Sequence, residues 1–189
     1  MHHYAAQAYD IETTETGMVV YAPCRIIKDR GDTLNLPMIT IEFSVPMENV
    51  IAVRAFHHSG FIKREPQFVK NKNPQPFSVE INDDEAILRS GSVALRVNRK
   101  NWEYVFEGDG KILTSCGFRN IGFMEVERKT SSMYPGDHYL MDEKKPYMMN
   151  ELKLGVGECI YGLGERFSHF VKNGQQLDIW NEDAGTSSP

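Results

Sequence analysis

Apolar residues recurring at every second position, in run after run separated by turn-forming residues, restrict this chain to β structure. The clearest runs are Ile39, Ile41 and Phe43, then Val93, Leu95 and Val97, then Trp102, Tyr104 and Phe106. Successive side chains of a strand point to opposite faces, so each run has one face for a core and one for water. Turn chemistry falls between the runs: Asn82-Asp83-Asp84 before Glu85, Ser90-Gly91-Ser92 before Val93, and Gly108-Asp109-Gly110 before Lys111. These residues favour tight turns and predict three consecutive hairpins. Further strands are predicted over 19–28, 50–57, 77–81, 120–127 and 151–156, for about ten in all, with no long helical stripe competing. One open sheet of that size would leave too much apolar surface in water, so two packed layers follow, an all-β antiparallel sandwich.

The chain can fill such a core. It has 189 residues, 41% of them hydrophobic, and a globular chain this long buries roughly 70% of its unfolded surface. Its 21 basic and 26 acidic residues are interspersed and sum to a net charge of -5, which gives no basic stripe for a phosphate backbone and excludes nucleic acid as a partner. Every apolar run is short and broken by charge, and residues 1–10 lack the basic and apolar segments of a secretory signal. The expectation is a soluble cytoplasmic protein without a membrane partner.

Cys24, Cys116 and Cys159 are odd in number and far apart. They suggest neither a disulfide framework nor a zinc site and are expected to be reduced, mostly buried thiols. His2 and His3 read as a frayed terminus. His57 and His58 are neighbours, so on a strand their rings point to opposite faces, and no His and Glu pair stands out for proton transfer on a sugar. No metal site or cofactor is predicted. The glycines at 155, 157, 162 and 164 miss the dinucleotide pattern because Ile160 and Phe167 stand where a third glycine is required, which leaves them as bends. Ser131 and Ser132 sit in no nucleophile elbow.

The segment 129–147, with Pro135, Gly136 and Pro146, reads as a long loop. Beyond it, Glu158, Glu165, Asp178, Glu182 and Asp183 are set among glycines and the aromatic residues Phe167, Phe170 and Trp180. Aromatic faces pack on the C–H face of a pyranose while carboxylates accept its hydroxyl protons, so this composition suits a sugar-contacting edge. Asn181 and Asp183 equally suit turns that bond their own backbone. The composition divides the chain into a sandwich, 1–163, and a Gly-rich, aromatic lead-in, 164–189, that reads as cut off.

Tyr161-Gly162-Leu163-Gly164-Glu165-Arg166-Phe167, Asn173-Gly174-Gln175 and Trp180-Asn181-Glu182-Asp183-Ala184-Gly185-Thr186-Ser187-Ser188 together resemble glycoside hydrolase family 31, in wording most similar to its α-xylosidases. The run 85–116 resembles the family's amino-terminal domain more loosely, and 1–80 matches only in strand pattern. The resemblance implies a galactose-mutarotase-like β-sandwich followed by a (β/α)8 barrel. The barrel carries the two aspartates of retaining hydrolysis, a nucleophile and an acid/base.

Retention needs two carboxyl groups about 5–5.5 Å apart, and neither family aspartate has a counterpart in these residues. The chain is therefore expected to be inactive by itself, a partner of the barrel domain that meets an α-linked xyloside or glucoside only in the complete enzyme. The resemblance assigns the tail to a loop reaching the substrate side. Asp183 best matches the sugar-contacting position, with Asn181 and Trp180 beside it, and Glu165 and Arg166 are an expected buried ion pair or strand-end clamp. Ala184 departs from the glycine of many relatives. Apolar surface meant for the barrel would be disordered, covered by a neighbour or buried in a homo-oligomer. The alternative is a free-standing carbohydrate-binding module presenting Trp180, Phe170 and Asp183 as an open platform.

Overall fold

The computed structural model describes residues 2–58, 75–128, 143–164, 168–177 and 179. Contacts divide the chain into two compact units, Met1–Lys153 and Leu154–Pro189. Among the described residues the first holds twelve strands: β1 (His2–Tyr4), β2 (Asp10–Thr14), β3 (Gly17–Pro23), β4 (Met38–Met47), β5 (Val50–Phe56), β6 (Ser78–Ile81), β7 (Glu85–Ser90), β8 (Val93–Asn98), β9 (Glu103–Gly108), β10 (Lys111–Cys116), β11 (Ile121–Arg128) and β12 (Glu143–Asn150). They form three antiparallel sheets, ordered β2-β3-β4-β5, β10-β9-β8-β7-β6 and β1-β11-β12. Among the described residues no helix is long and apolar enough to cross a membrane.

Register explains the core. In β4, Ile39, Ile41, Phe43 and Val45 are buried and alternate with half-exposed residues. Pairing sets Met18 beside Phe43, Val20 beside Ile41 and Ala22 beside Ile39, so two strands present one continuous apolar face. The five-stranded sheet answers with Leu88 opposite Leu95 and Ala86 opposite Val97, and Val97 opposite Tyr104. These residues belong to a single buried cluster. Phe43 and Tyr104 meet across it edge to face, ring centroids 5.3 Å apart at 71°, the arrangement that aromatic quadrupoles prefer.

Two polar devices lock the layers. The hydroxyl of Tyr104 donates to Asn150 Oδ1 at 3.0 Å, which ties β9 to the end of β12 and satisfies a polar atom that burial would otherwise penalise. Burial pushes the Tyr104 hydroxyl pKa well up, and likewise raises the neighbouring Cys116 thiol to about 11. At one end of the sandwich, Asn49 Oδ1 accepts from Ser92 N at 2.6 Å, and Asn49 N donates to Ser90 Oγ at 3.4 Å, joining the β4–β5 turn to the β7–β8 turn. Gly91 lies between them at φ 56°, and a Cβ there would stand 2.1 Å from Asn49 Oδ1. The close approach requires glycine.

All three hairpins expected at 82–84, 90–92 and 108–110 are present as β6–β7, β7–β8 and β9–β10. Other expectations are corrected. His2 and His3 do not fray but pair with Met124 and Phe123 as β1. The expected long loop 129–147 contains β12 from Glu143 onward, and 129–142 lies outside the described residues. The run 151–156 is not a strand: among its backbone N–H groups Glu151 and Lys153 reach backbone carbonyls, Asn120 O and Ser115 O, Gly155 turns to a side chain instead, and its apolar side chains are exposed. Of the cysteines, Cys116 is buried, Cys24 is intermediate, and Cys159 is exposed against expectation.

Candidate functional site

The residues assigned to the sugar, Trp180, Asn181 and Asp183, lie outside the described residues, as do Glu165, Arg166 and Asp178. What the second unit does show is how the motif leading to them is built. Gly162, Leu163 and Gly164 have φ of 89°, 64° and 89°, a left-handed run that glycine on either side makes accessible. Just before it, Asn173 works as a clamp. Its Oδ1 accepts from Ile160 N at 2.7 Å and its Nδ2 donates to Glu158 O at 2.9 Å, while Lys172 N donates to Ile160 O at 2.8 Å.

Lys172, buried despite its charge, donates from Nζ to Ser168 Oγ and His169 O, each at 2.6 Å. Tyr161 and Phe170 lean on each other with ring centroids 5.1 Å apart. Glu158, one of the carboxylates proposed for sugar contact, instead accepts from Gly155 N and closes its own turn. The Asn173-Gly174-Gln175 motif is thus a backbone organiser. Asn173→Ala should loosen 158–160 by about 1–2 kcal/mol, seen as faster hydrogen exchange of the Ile160 amide with the sandwich amides unchanged.

In the first unit a pocket of about 460 Å³ is lined by Phe56, His57, His58, Phe123, Glu125, Pro146, Tyr147 and Met148. It opens where the inner face of the β1-β11-β12 sheet runs past the core: Ile121 is buried in the cluster, and Phe123 and Glu125 follow it at two-residue spacing. Phe123 pairs with Met148 and Glu125 with Pro146, so these four share that face. His57, one residue beyond β5, stacks on Phe123 with centroids 4.0 Å apart and rings 24° from parallel. Its Nδ1 lies 3.2 Å from Met38 O. A carbonyl only accepts, so Nδ1 carries the proton in this contact.

No His and Glu pair stands out in the sequence, yet the fold brings His57, His58 and Glu125 to one pocket from positions nearly seventy residues apart. No local spacing signals this. Among the described residues no cluster of three or more His, Cys, Asp or Glu side chains suits a metal ion.

Comparison with known proteins decides the family. The model of the glycosyl hydrolase 31 N-terminal galactose mutarotase-like domain matches residues 40–189. The chain belongs to this family. Among relatives of the glycosyl hydrolase 31 chain is the α-xylosidase XylQ of Lactiplantibacillus pentosus, 36% identical over 96% of this chain and 22% of its own length. An α-xylosidase of Emericella nidulans is also 36% identical, over 85% of this chain and again 22% of its own. The chain therefore spans about a fifth of the length of these relatives. A GH31 dextranase from Flavobacterium johnsoniae, complexed with glucose, superposes over 95% of this chain and 19% of its own with a TM-score of 0.61. At 13% identity that likeness speaks for the fold alone, the antiparallel sandwich of the glycosyl hydrolase 31 amino-terminal domain.

Proposed function

We propose that the chain serves as the amino-terminal domain of a retaining α-glycosidase acting on α-xylosides or α-glucosides, that it scaffolds the catalytic barrel, and that the loop around Trp180, Asn181 and Asp183 walls the substrate site. The observation that carries this reading is the 36% identity to two α-xylosidases across nearly the whole chain. The surface agrees with a scaffold. Ile112 and Leu113 on β10 and Phe118 just after it are exposed, apolar surface of the kind that a docked domain covers.

In this reading the barrel supplies the nucleophile and the acid/base, and the chain supplies position. A carboxylate at Asp183 accepts a hydroxyl proton of the sugar and fixes its orientation toward the cleaved bond. The test is Asp183→Ala in the chain joined to its barrel. A charge-assisted hydrogen bond contributes about 1.5–3 kcal/mol, so kcat/KM should fall by roughly 10- to 150-fold, with the unfolding midpoint unchanged. An unaltered kcat/KM would remove the loop from the substrate site.

A further inference from the structure

We infer that the β10–β11 turn is a docking point, at which the Arg119 guanidinium pairs with a carboxylate on the catalytic barrel. The inference rests on the proposed function, since it names a place where the scaffold meets that barrel.

The turn holds this arginine under strain. Asn120 N donates to Gly117 O at 3.1 Å, which makes Arg119 the third residue of a four-residue turn, and its φ is 63°. Glycine or asparagine fits that position, whereas a longer side chain is strained there. Strain kept at an exposed turn points to a use for the side chain. The guanidinium is also confined. Its carbon lies 5.0 Å from the centroid of the Phe118 ring and 5.8 Å from that of Tyr4, both within cation–π range. Tyr4 sits on β1 opposite Gly122 of β11, where a Cβ would stand 2.9 Å from Tyr4 Cδ1, so glycine gives the ring its room. An arginine confined in advance loses less side-chain entropy when it binds.

The two rings leave the N–H edges of the guanidinium open. Its donors form a planar fork that matches a carboxylate, and among the described residues Arg119 makes no hydrogen bond or ion pair with its side chain. Phe118 beside it is 75% exposed. An exposed aromatic ring next to an unpaired arginine is the combination that anchors protein interfaces. Two observations select the occupant. This chain covers 22% of each α-xylosidase relative, so in them a partner carried on the same polypeptide stands at high effective concentration. A second copy fits worse, because a two-fold contact sets one patch against itself, and Tyr4, Phe118 and Arg119 include no carboxylate to answer the guanidinium.

The experiment is hydrogen–deuterium exchange of the 117–120 backbone amides, in the 189-residue chain and in the chain joined to its barrel. Docking should slow these amides about tenfold or more in the joined protein, the change expected from one charge-assisted hydrogen bond. Arg119→Gly should remove most of that slowing, and Arg119→Lys, which keeps the charge without the fork, part of it. Glycine relieves the strain, so the variant should keep its fold, and comparing each variant with its own isolated chain cancels any effect on the turn. Equal exchange in the isolated and joined proteins, slowing that survives Arg119→Gly, or slowing in the isolated chain that grows with its concentration, the mark of a second copy, would each overturn the inference. Turnover of an aryl α-xyloside by the same joined protein reports separately on the proposed function: slowed amides without turnover keep the contact and remove the glycosidase reading, and turnover without slowing does the reverse.

Discussion

Phe43→Ala should destabilise the chain by about 3–5 kcal/mol, the usual cost of emptying a phenylalanine site that cannot collapse. Phe43 is 1% exposed and belongs to the buried cluster. It is flanked on its own sheet by Met18 and Val53, and the edge of Tyr104 meets it from the facing layer. These neighbours sit on paired strands whose hydrogen bonds resist inward movement, so the void persists. With a urea slope of about 2 kcal/mol per molar for a chain of this size, the midpoint should drop by roughly 1.5–2.5 M. Phe43→Leu, which keeps most of the volume, should cost less than about 2 kcal/mol. A loss below about 1 kcal/mol for the alanine variant would mean that the two layers do not meet at Phe43.

Gly17→Ala should be nearly as damaging, although it adds one methyl group. Gly17 opens β3 opposite Ser44 of β4, and a Cβ there would stand 2.1 Å from the backbone oxygen of Phe43. Backbone atoms held in a ladder cannot swing aside as a side-chain tip can. The substitution must part β3 from β4 at the place where both feed the core, at an expected cost of about 3 kcal/mol or more. Gly110→Ala is the control. Its φ of 74° also disfavours a side chain, but nothing lies within 4 Å of the new Cβ, so only the left-handed strain of about 1–2 kcal/mol remains. Thermal unfolding of the two variants side by side separates clash from strain, and equal losses would refute the close approach of β3 to β4.

The strands that could be read from the sequence are those with one wet and one dry face. Ile39, Ile41 and Phe43 announce β4, and glycine, asparagine and serine mark the turns of the five-stranded sheet. The strands that could not be read lack that contrast. In β2 only Ile11 is buried. β12 runs Glu-Lys-Lys-Pro-Tyr-Met-Met-Asn at the edge of its sheet, where proline and lysine are tolerated because one side of the strand needs no partner. Leu152, Leu154 and Val156 imitate alternation, yet all three side chains are exposed among the described residues.

The tail motifs were legible as a resemblance, and Asn173 gives part of that wording a physical role in bonding two backbone positions. The pocket was not legible. Phe56–His58, Phe123–Glu125 and Pro146–Met148 come from three distant stretches, joined only by the register of β11 with β12 and by the end of β5.

The central proposal is that this polypeptide supplies the frame and one wall of a glycosidase while the bond-breaking acids come from another domain. Release of the aryl group from an aryl α-xyloside or α-glucoside tests it most directly, by the purified 189-residue chain and by the same chain carried with its barrel. The account predicts no turnover above the uncatalysed rate for the chain alone and steady turnover once the barrel is present. Sustained release by the isolated chain, with the anomeric configuration retained in the product, would contradict it.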